Sequence, residues 1–424
     1  VQKTSQLLSQ AKFNANTFQL SNGLTIIHQY LPATSVVVSD IWVNAGAIAE
    51  PEAWSGMAHF LEHMIFKGSP NVMVGEFDWL IENTGGVANA ATSYDYAHFY
   101  LTTAAAHFGE TLPCLADILL RANIPDDEFL REREVVIEEI LSSYDDPDYL
   151  GYQALCQNAY QRHPYRRSIL GEQELLLEHT PNQMRCFHRT HYQPENMTII
   201  IVGGIEQEQA LSLVHENFSN FGVRSECPPV RIEDEPPLAS IRRQELHLPR
   251  IEQARLLMAW ICPGSADLES AIALDLIALI LTGGRSSGSI RELREERQLV
   301  MDIDCSLSLQ RDSSLFSIGA LLEAEHIDMV ENMICNRLSQ LHHQLIPNSE
   351  IASAKRQLIN DYIFSTETPS QLASIYGFYN IVATAAHSAL YPQIIDRLQP
   401  EELMAIARKY LSPEHYAVTV LKPA

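Results

Sequence analysis

Residues 42–46 read Trp-Val-Asn-Ala-Gly, at the end of an apolar run; residues 260–264 read Trp-Ile-Cys-Pro-Gly, at the end of another. Both the tryptophans and the glycines are 218 positions apart. The spacing returns near the end of each half. Tyr192-Gln193-Pro194-Glu195-Asn196 precedes the strand-like MTIIIVGG, and Tyr410-Leu411-Ser412-Pro413-Glu414 precedes YAVTVLKP, the tyrosines again 218 apart and the proline slipped by one. Agreement at both ends of such an interval marks a duplicated unit.

Between the copies, GVRSECPPVRIEDEPPLAS (222–240) gathers prolines and acidic residues and reads as an exposed linker. The chain therefore divides into residues 1–221, a linker at 222–240, and a homologous unit at 241–424. At 424 residues it is too long for one ordinary core, which agrees with two domains.

Each unit mixes strands and helices. LTIIHQYL, SVVVSDIWVNAG and HFYLTT alternate or run apolar between Asn-Gly, Pro and Gly. Helical patterns cover 56–66, 76–84, 106–122 and 126–143, the last with Asp126 or Asp127 as a start signal after Pro125. Strands grouped with helices, without strict βαβ alternation, predict an α+β fold: two homologous domains, each a largely antiparallel sheet packed with helices.

Composition excludes several classes. Hydrophobic residues make up 46% and charged residues 19%, as in packed globular chains. The formal charge of −24 argues against a nucleic-acid partner, which needs clustered Lys and Arg. No stretch approaches the roughly 20 apolar residues of a membrane-spanning helix. The seven cysteines are scattered, contain no C-x-x-C pair, and read as reduced thiols rather than a disulfide framework. These features predict a soluble protein of the cytoplasm or an organelle matrix, with the periplasm left open.

The chemistry concentrates at His59-Phe60-Leu61-Glu62-His63. On a helix, positions i and i+4 share a face, so both imidazoles can address one ion, with Glu62 close to the same face. Two histidines can hold Zn²⁺ and leave room for a third ligand and a water whose pKa the metal lowers; a carboxylate can then take the water's proton. An accidental H-x-x-E-H is expected in only about a few per cent of chains this rich in histidine. The 218 offset carries His59, Glu62 and His63 onto Ile277, Ile280 and Leu281, so the second unit keeps an apolar helix where the first has donors. For the third ligand, EREVVIEEI (132–140) offers two pairs: Glu132 with Glu139, seven apart, and Glu134 with Glu138, four apart. Spacing alone leaves both pairs open, beside the plain reading of a solvated acidic face. His163, His188 and His191 read as structural. LTGGRSSG (281–288) lacks the Gly-Lys-Ser/Thr ending of a phosphate-binding loop.

NAGAIAEPEAWSGMAHFLEHMIFKGS, GGVANAATSYDYAHFY, EREVVIEEI, HPYRRSILG, YQPENMTIIIVGG and LTGGRSSGSIRELREERQLV together resemble the pitrilysin/insulinase family of inverted-motif zinc metallopeptidases, the inverzincins. Within that family the chain is similar to small bacterial processing proteases and beta-type subunits of mitochondrial processing peptidase. The resemblance runs over nearly the whole chain. It implies one zinc held by His59, His63 and Glu139, Glu62 as general base, and Glu132 orienting a ligand. It also implies a substrate-binding edge strand at 86–92, with Asn89 and Ala90 flanking the scissile bond.

One departure stands out. Self-sufficient family members carry an Arg and a Tyr in the second domain, where this chain reads Gly288 and Met301, with Arg285 and Arg291 out of register. Losing oxyanion donors commonly costs about 10²–10³ in rate. The expectation is therefore a zinc endopeptidase subunit that hydrolyses unstructured peptides or presequences in a chamber, with a homologous partner supplying the Arg/Tyr pair. The acidic charge favours basic peptides. The alternatives are a self-sufficient homodimeric peptidase and a non-catalytic scaffold like the core proteins of respiratory complexes.

Overall fold

The computed structural model describes residues 13–220, 224–284 and 290–424. In the first half, strands β1 (Asn16–Gln19), β2 (Thr25–Tyr30), β3 (Val36–Val43), β4 (Val87–Thr92), β5 (Ala97–Ala104) and β6 (Met197–Gly203) form one sheet in the order β1-β2-β6-β3-β5-β4. In the second, β7 (Arg242–Leu248), β8 (Ala254–Pro263), β9 (Asp302–Ser308), β10 (Ser313–Leu322) and β11 (Ala417–Pro423) follow the order β7-β11-β8-β10-β9. One pair in each sheet is parallel, β2 with β6 and β7 with β11; the other pairs are antiparallel. The fold is α+β, two mixed and largely antiparallel sheets packed with helices.

The repeat extends to strand register. Trp42 pairs with His98 and Val36 with Ala104; Trp260 pairs with Phe316 and Ala254 with Leu322. Each second pair sits 218 positions beyond its counterpart. A one-residue slip would turn every side chain to the wrong face, so shared register means shared inside and outside.

Six helices shape the site and the joining of the two halves: α1 (Met57–Ile65), α2 (Asp126–Ser143), α3 (Pro147–Ala159), α4 (Pro181–His191), α5 (Leu268–Thr282) and α6 (Pro369–Val382). The start of α2 differs from the expected cap: Pro125 is the capping residue and makes no side-chain bond, while Asp126 and Asp127 lie inside the first turn. There their charge still complements the helix dipole.

Each sheet has one face on its own half's helices, in cores built around residues such as Phe60, Phe99 and Phe129, or Ile277, Phe316 and Leu338. The opposite faces are covered by exchange. Helix α6 of the second half lies on the first sheet, packing Leu372, Tyr376 and Ile381 with Trp42, Val38 and Ile200. Helix α3 of the first half lies on the second sheet, packing Leu155 and Ala159 with Ala259, Leu315 and Ala417. Glycines permit the close approach: a Cβ on Gly377 would meet Trp42 Nε1 at 2.1 Å, and one on Gly151 would meet Leu257 Cδ1 at 2.6 Å. Covering on both faces is why β6 runs apolar without a break from Ile199 to Val202 and is buried throughout. Residues 224–239 carry no helix or strand. No helix among the described residues is long and apolar enough to cross a membrane.

Candidate metal centre and active site

Helix α1 begins after Gly56, whose φ of +87° lies in the left-handed region. A Cβ there would also meet Leu170 O at 2.7 Å, so a glycine is required twice over. The first turn of a helix leaves backbone amides without partners. Here the Glu50 carboxylate accepts from Gly56 N (3.0 Å) and Ala58 N (2.7 Å). Burial pushes the Glu50 carboxyl up to about 8, against the pull of these amides and of Arg167. Phe60, Leu61, Met64 and Ile65 are wholly buried and fix the rotation of α1. His59, Glu62 and His63 occupy the remaining face.

Helix α2 buries Phe129, Val136, Ile137 and Ile140. That packing sets the directions of the two glutamate pairs. Glu134 and Glu138 are exposed. Glu132 and Glu139 turn toward α1: Glu139 Oε2 lies 3.7 Å from His59 Nε2 and 3.5 Å from His63 Nε2. Ligand atoms from His59, His63 and Glu139 all fall within 4.8 Å of one another.

Zinc bonds to imidazole and carboxylate are about 2.0–2.2 Å, which places tetrahedral ligands roughly 3.3–3.6 Å apart. The Glu139 carboxylate stands at that spacing from His63 and just beyond it from His59, and two imidazoles with a carboxylate are a donor set zinc accepts. His59 supports the fit from another side. Burial, then the neighbouring His63, lowers its pKa to about 4, so the ring is neutral, as a ligand must be. The Glu139 side chain is 45% exposed against 10% for His59, so the donor cluster is walled on one side and open on the other.

Two further contacts organise the cluster. Glu132 Oε1 sits 3.0 Å from His63 Nδ1, and its Oε2 sits 2.6 Å from Lys67 Nζ. Burial would raise the Glu132 carboxyl, but Lys67 and His63 outweigh it and hold it low. A carboxylate at Nδ1 keeps the proton there and leaves Nε2, on the Glu139 side, free to donate its lone pair. Meanwhile Glu62 Oε2 accepts a 2.5 Å hydrogen bond from Thr92 Oγ1. Burial raises the Glu62 carboxyl above its ordinary range, with Thr92 opposing.

Thr92 ends β4, the edge strand of the first sheet. Along it Val87, Asn89 and Ala91 are exposed, alternating with half-buried Ala88, Ala90 and Thr92. Asn89 pairs with Tyr100 and Ala90 with Phe99; the Ala90 N–H is taken by Asn89 Oδ1 at 2.9 Å. The strand expected to flank a substrate thus lies on an open edge, tied at one end to the candidate base.

In the second half, Ile277, Ile280 and Leu281 are buried on α5, at most 4% exposed. Met301 is exposed, and its N–H donates to Leu321 O. Arg291 belongs to a π-helical turn, Ile290–Glu296, and pairs with Glu296. Gly288 and Arg285 lie outside the described residues. His163 and His188 are buried, the latter with Nε2 2.7 Å from Leu119 O.

Sequence reasoning missed Lys67, Thr92 and Glu50. Lys67 stands four residues after His63, at the spacing of a helical neighbour, and Thr92 shares strand parity with Ala90. Glu50 has no local signal, since its role depends on a loop folding back.

The chain as a whole resembles known proteins. Residues 25–173 match the family model described as insulinase (peptidase family M16), and residues 179–358 match that of the peptidase M16 inactive domain. The chain is 26% identical over 408 residues to the zinc protease PqqE of Helicobacter pylori, covering 95% of this chain and 92% of that one. It is 26% identical over 415 residues to the uncharacterized zinc protease YmxG of Bacillus subtilis, covering 96% and 98%. The crystal structure of a protease from Helicobacter pylori superposes with a TM-score of 0.91 at 26% identity, over 96% of this chain and 99% of that one.

Proposed function

The chain belongs to the insulinase family of peptidases, family M16, and from that premise we propose that it is a zinc-dependent endopeptidase subunit acting on extended, unstructured peptides. The observation that carries the reading is the convergence of His59 Nε2, His63 Nε2 and Glu139 Oε2 beside a buried Glu62. We take residues 1–221 as the metal-bearing domain, 222–240 as the linker and 241–424 as its homologue without donors.

His59, His63 and Glu139 would hold the zinc, which when bound supplies Lewis acidity and a water acidic enough to attack a carbonyl near neutral pH. Glu62 accepts the proton of the attacking water and delivers it to the leaving amine; its burial favours the proton-holding form and suits it to both steps. Thr92 holds the Glu62 carboxylate toward the edge strand. Glu132 fixes the His63 tautomer, with Lys67 keeping Glu132 ionised. A peptide pairing with β4 around Asn89 and Ala90 would be bound through its backbone, with little demand on sequence. The net charge of −24 favours basic peptides.

The side chain at 301 is Met and that at 288 is Gly, so neither can donate a hydrogen bond to a developing oxyanion. A homologous subunit carrying the Arg/Tyr pair would complete the site; a self-sufficient homodimer is the second peptidase reading. A scaffold role is disfavoured by the intact set of donors and base. The test is hydrolysis of a quenched basic peptide by the chain alone, loaded with zinc to measured stoichiometry. Zinc near one per chain with no turnover supports the half-site reading. Chelator-sensitive turnover that is lost in Glu62→Gln supports the self-sufficient enzyme. Failure to hold zinc sinks both.

A further inference from the structure

We propose that Cys186 and Cys227 form an oxidisable dithiol, a site of reversible disulfide formation that fastens the segment joining the two halves onto helix α4. Cys186 lies on α4 and Cys227 in the stretch without helix or strand, 41 residues later; their sulfurs are 3.8 Å apart. A disulfide needs about 2.05 Å, a distance reachable by turning side chains once the backbones are in place.

The backbones are in place. Thr190 Oγ1, one turn after Cys186, donates to Ser225 O at 2.9 Å. Ser225 Oγ donates to Cys186 O at 3.1 Å. Cys186 Sγ faces Glu226 O at 3.5 Å, and Cys227 Sγ faces Thr190 Oγ1 at 3.4 Å. The two sulfurs are therefore held beside each other by four contacts besides the one between them. A cavity of about 280 Å³ opens beside them, lined by Thr190, His191, Cys227, Pro228, Pro229 and Val230 among others. Small oxidants can reach Cys227 there. The other five thiols, Cys114, Cys156, Cys262, Cys305 and Cys335, serve as the internal comparison.

The oxidant class is a low-molecular-weight disulfide. One of the two cysteine thiolates attacks one of its sulfurs and expels a thiolate, leaving a mixed disulfide. The other cysteine thiolate then attacks the sulfur of the first and expels the second thiolate. The two cysteines lose two protons and two electrons, and the oxidant becomes two thiols. Burial pushes the Cys227 thiol up to about 11, so its thiolate becomes more available, and the exchange faster, as pH rises.

Trypsin provides a direct readout. Cleavage after Arg185, Arg189, Arg224 and Arg231 isolates Cys186–Arg189 and Ser225–Arg231, each with a single cysteine. The full chain is incubated with oxidised glutathione, alkylated, and digested without reduction. The expected product is these two peptides joined, separable by reductant, with the other five cysteines alkylated. In the native protein, the exposed Arg224 and Arg231 should be cut several-fold more slowly after oxidation, and Cys186→Ser and Cys227→Ser should each abolish that difference. Should Cys227→Ser fail to fold, Cys186→Ser carries the comparison. Two separately alkylated or glutathionylated peptides, or linkage to other cysteines, would overturn the site. Linkage without slower cutting would overturn the fastening.

Discussion

Glu132 Oε1 lies 3.0 Å from His63 Nδ1, on the side of the ring away from Glu139. The relationship gives one histidine two glutamates with different tasks: Glu132 holds the proton on one nitrogen, while Glu139 shares the space in front of the other. Replacing a carboxylate in such a position typically costs roughly 10–100-fold in metal affinity. Glu132→Ala should therefore weaken zinc binding by about that factor, measured by competition with a chromophoric chelator, while Glu134→Ala, exposed on the same helix, should leave it unchanged. Equal effects from the two would remove the positioning role.

Glu62 is bonded to Thr92 and stands outside the group formed by His59, His63 and Glu139. Glu62→Gln should keep zinc affinity within a few-fold and lower kcat by about 10²–10⁴, the usual range for a lost general base. Metal content and turnover are measured on one preparation. Loss of zinc together with activity would instead make Glu62 part of the donor set.

Much of this arrangement was legible because it is local or repeated. His59, Glu62 and His63 sit within five residues, so helical period alone brings them to one face. Trp42 and Trp260 announce two copies because the strands they end keep the same register. Glu132 and Glu139 came only from the family resemblance, since spacing could not prefer them to Glu134 and Glu138: the preference depends on which face of α2 packs against α1. Thr92, which reaches Glu62 only through the turn of β4 onto the helix, and Glu50, which caps α1 from a loop, were not legible. The exchange of α3 and α6 left only a partial trace: the unbroken apolar run of β6 requires cover on both faces but does not say which helix supplies it. Cys186 and Cys227, 41 residues apart, carry no spacing signal at all.

The edge-strand reading makes a backbone prediction. The Ala90 N–H is bonded to the Asn89 side chain, so proline at this position removes no donor that the sheet depends on. A peptide pairing with β4 would displace the Asn89 side chain and take this N–H, so Ala90→Pro should fold and should raise KM for peptides by roughly 3- to 10-fold with little change in kcat, the loss of about one backbone hydrogen bond. Unchanged kinetics in a folded, zinc-loaded variant would move the substrate away from β4.

Buried histidines set an acid limit on stability. Burial lowers the pKa of His179, His188 and His191 from 6.5 to about 4. Between those values the unfolded chain binds protons that the folded chain refuses, so stability is full above about pH 6.5 and falls as pH drops toward 4. Glu50 acts in the opposite sense: its folded carboxyl, raised to about 8, gives stability that is lost as pH climbs from the ordinary carboxylate range through 8. His188→Gln retains a donor for Leu119 O without a titrating group. Its melting temperature should fall less than wild type's on acidification from pH 6.5 to 4, by about one proton's worth of slope. Parallel melting curves would mean that His188 titrates alike in both states.

The exchanged helices make the two halves mutually dependent. Gly377 of α6 rests on Trp42, the residue that opens the repeat, and an added Cβ would meet the indole at 2.1 Å. Trp42 cannot retreat: it is 2% exposed and packed in turn against His98, ring centroids 4.4 Å apart. Gly377→Ala should therefore push α6 off the first sheet and destabilise the chain by about 1–3 kcal/mol, the usual range for overpacking. The donors on α1 lie on the other face of that sheet, so zinc affinity should survive while cooperative unfolding splits. Thermal melts followed by tryptophan fluorescence and by zinc release would then part company, whereas a single coincident transition at the wild-type temperature would show that the helix accommodates the methyl group without leaving the sheet.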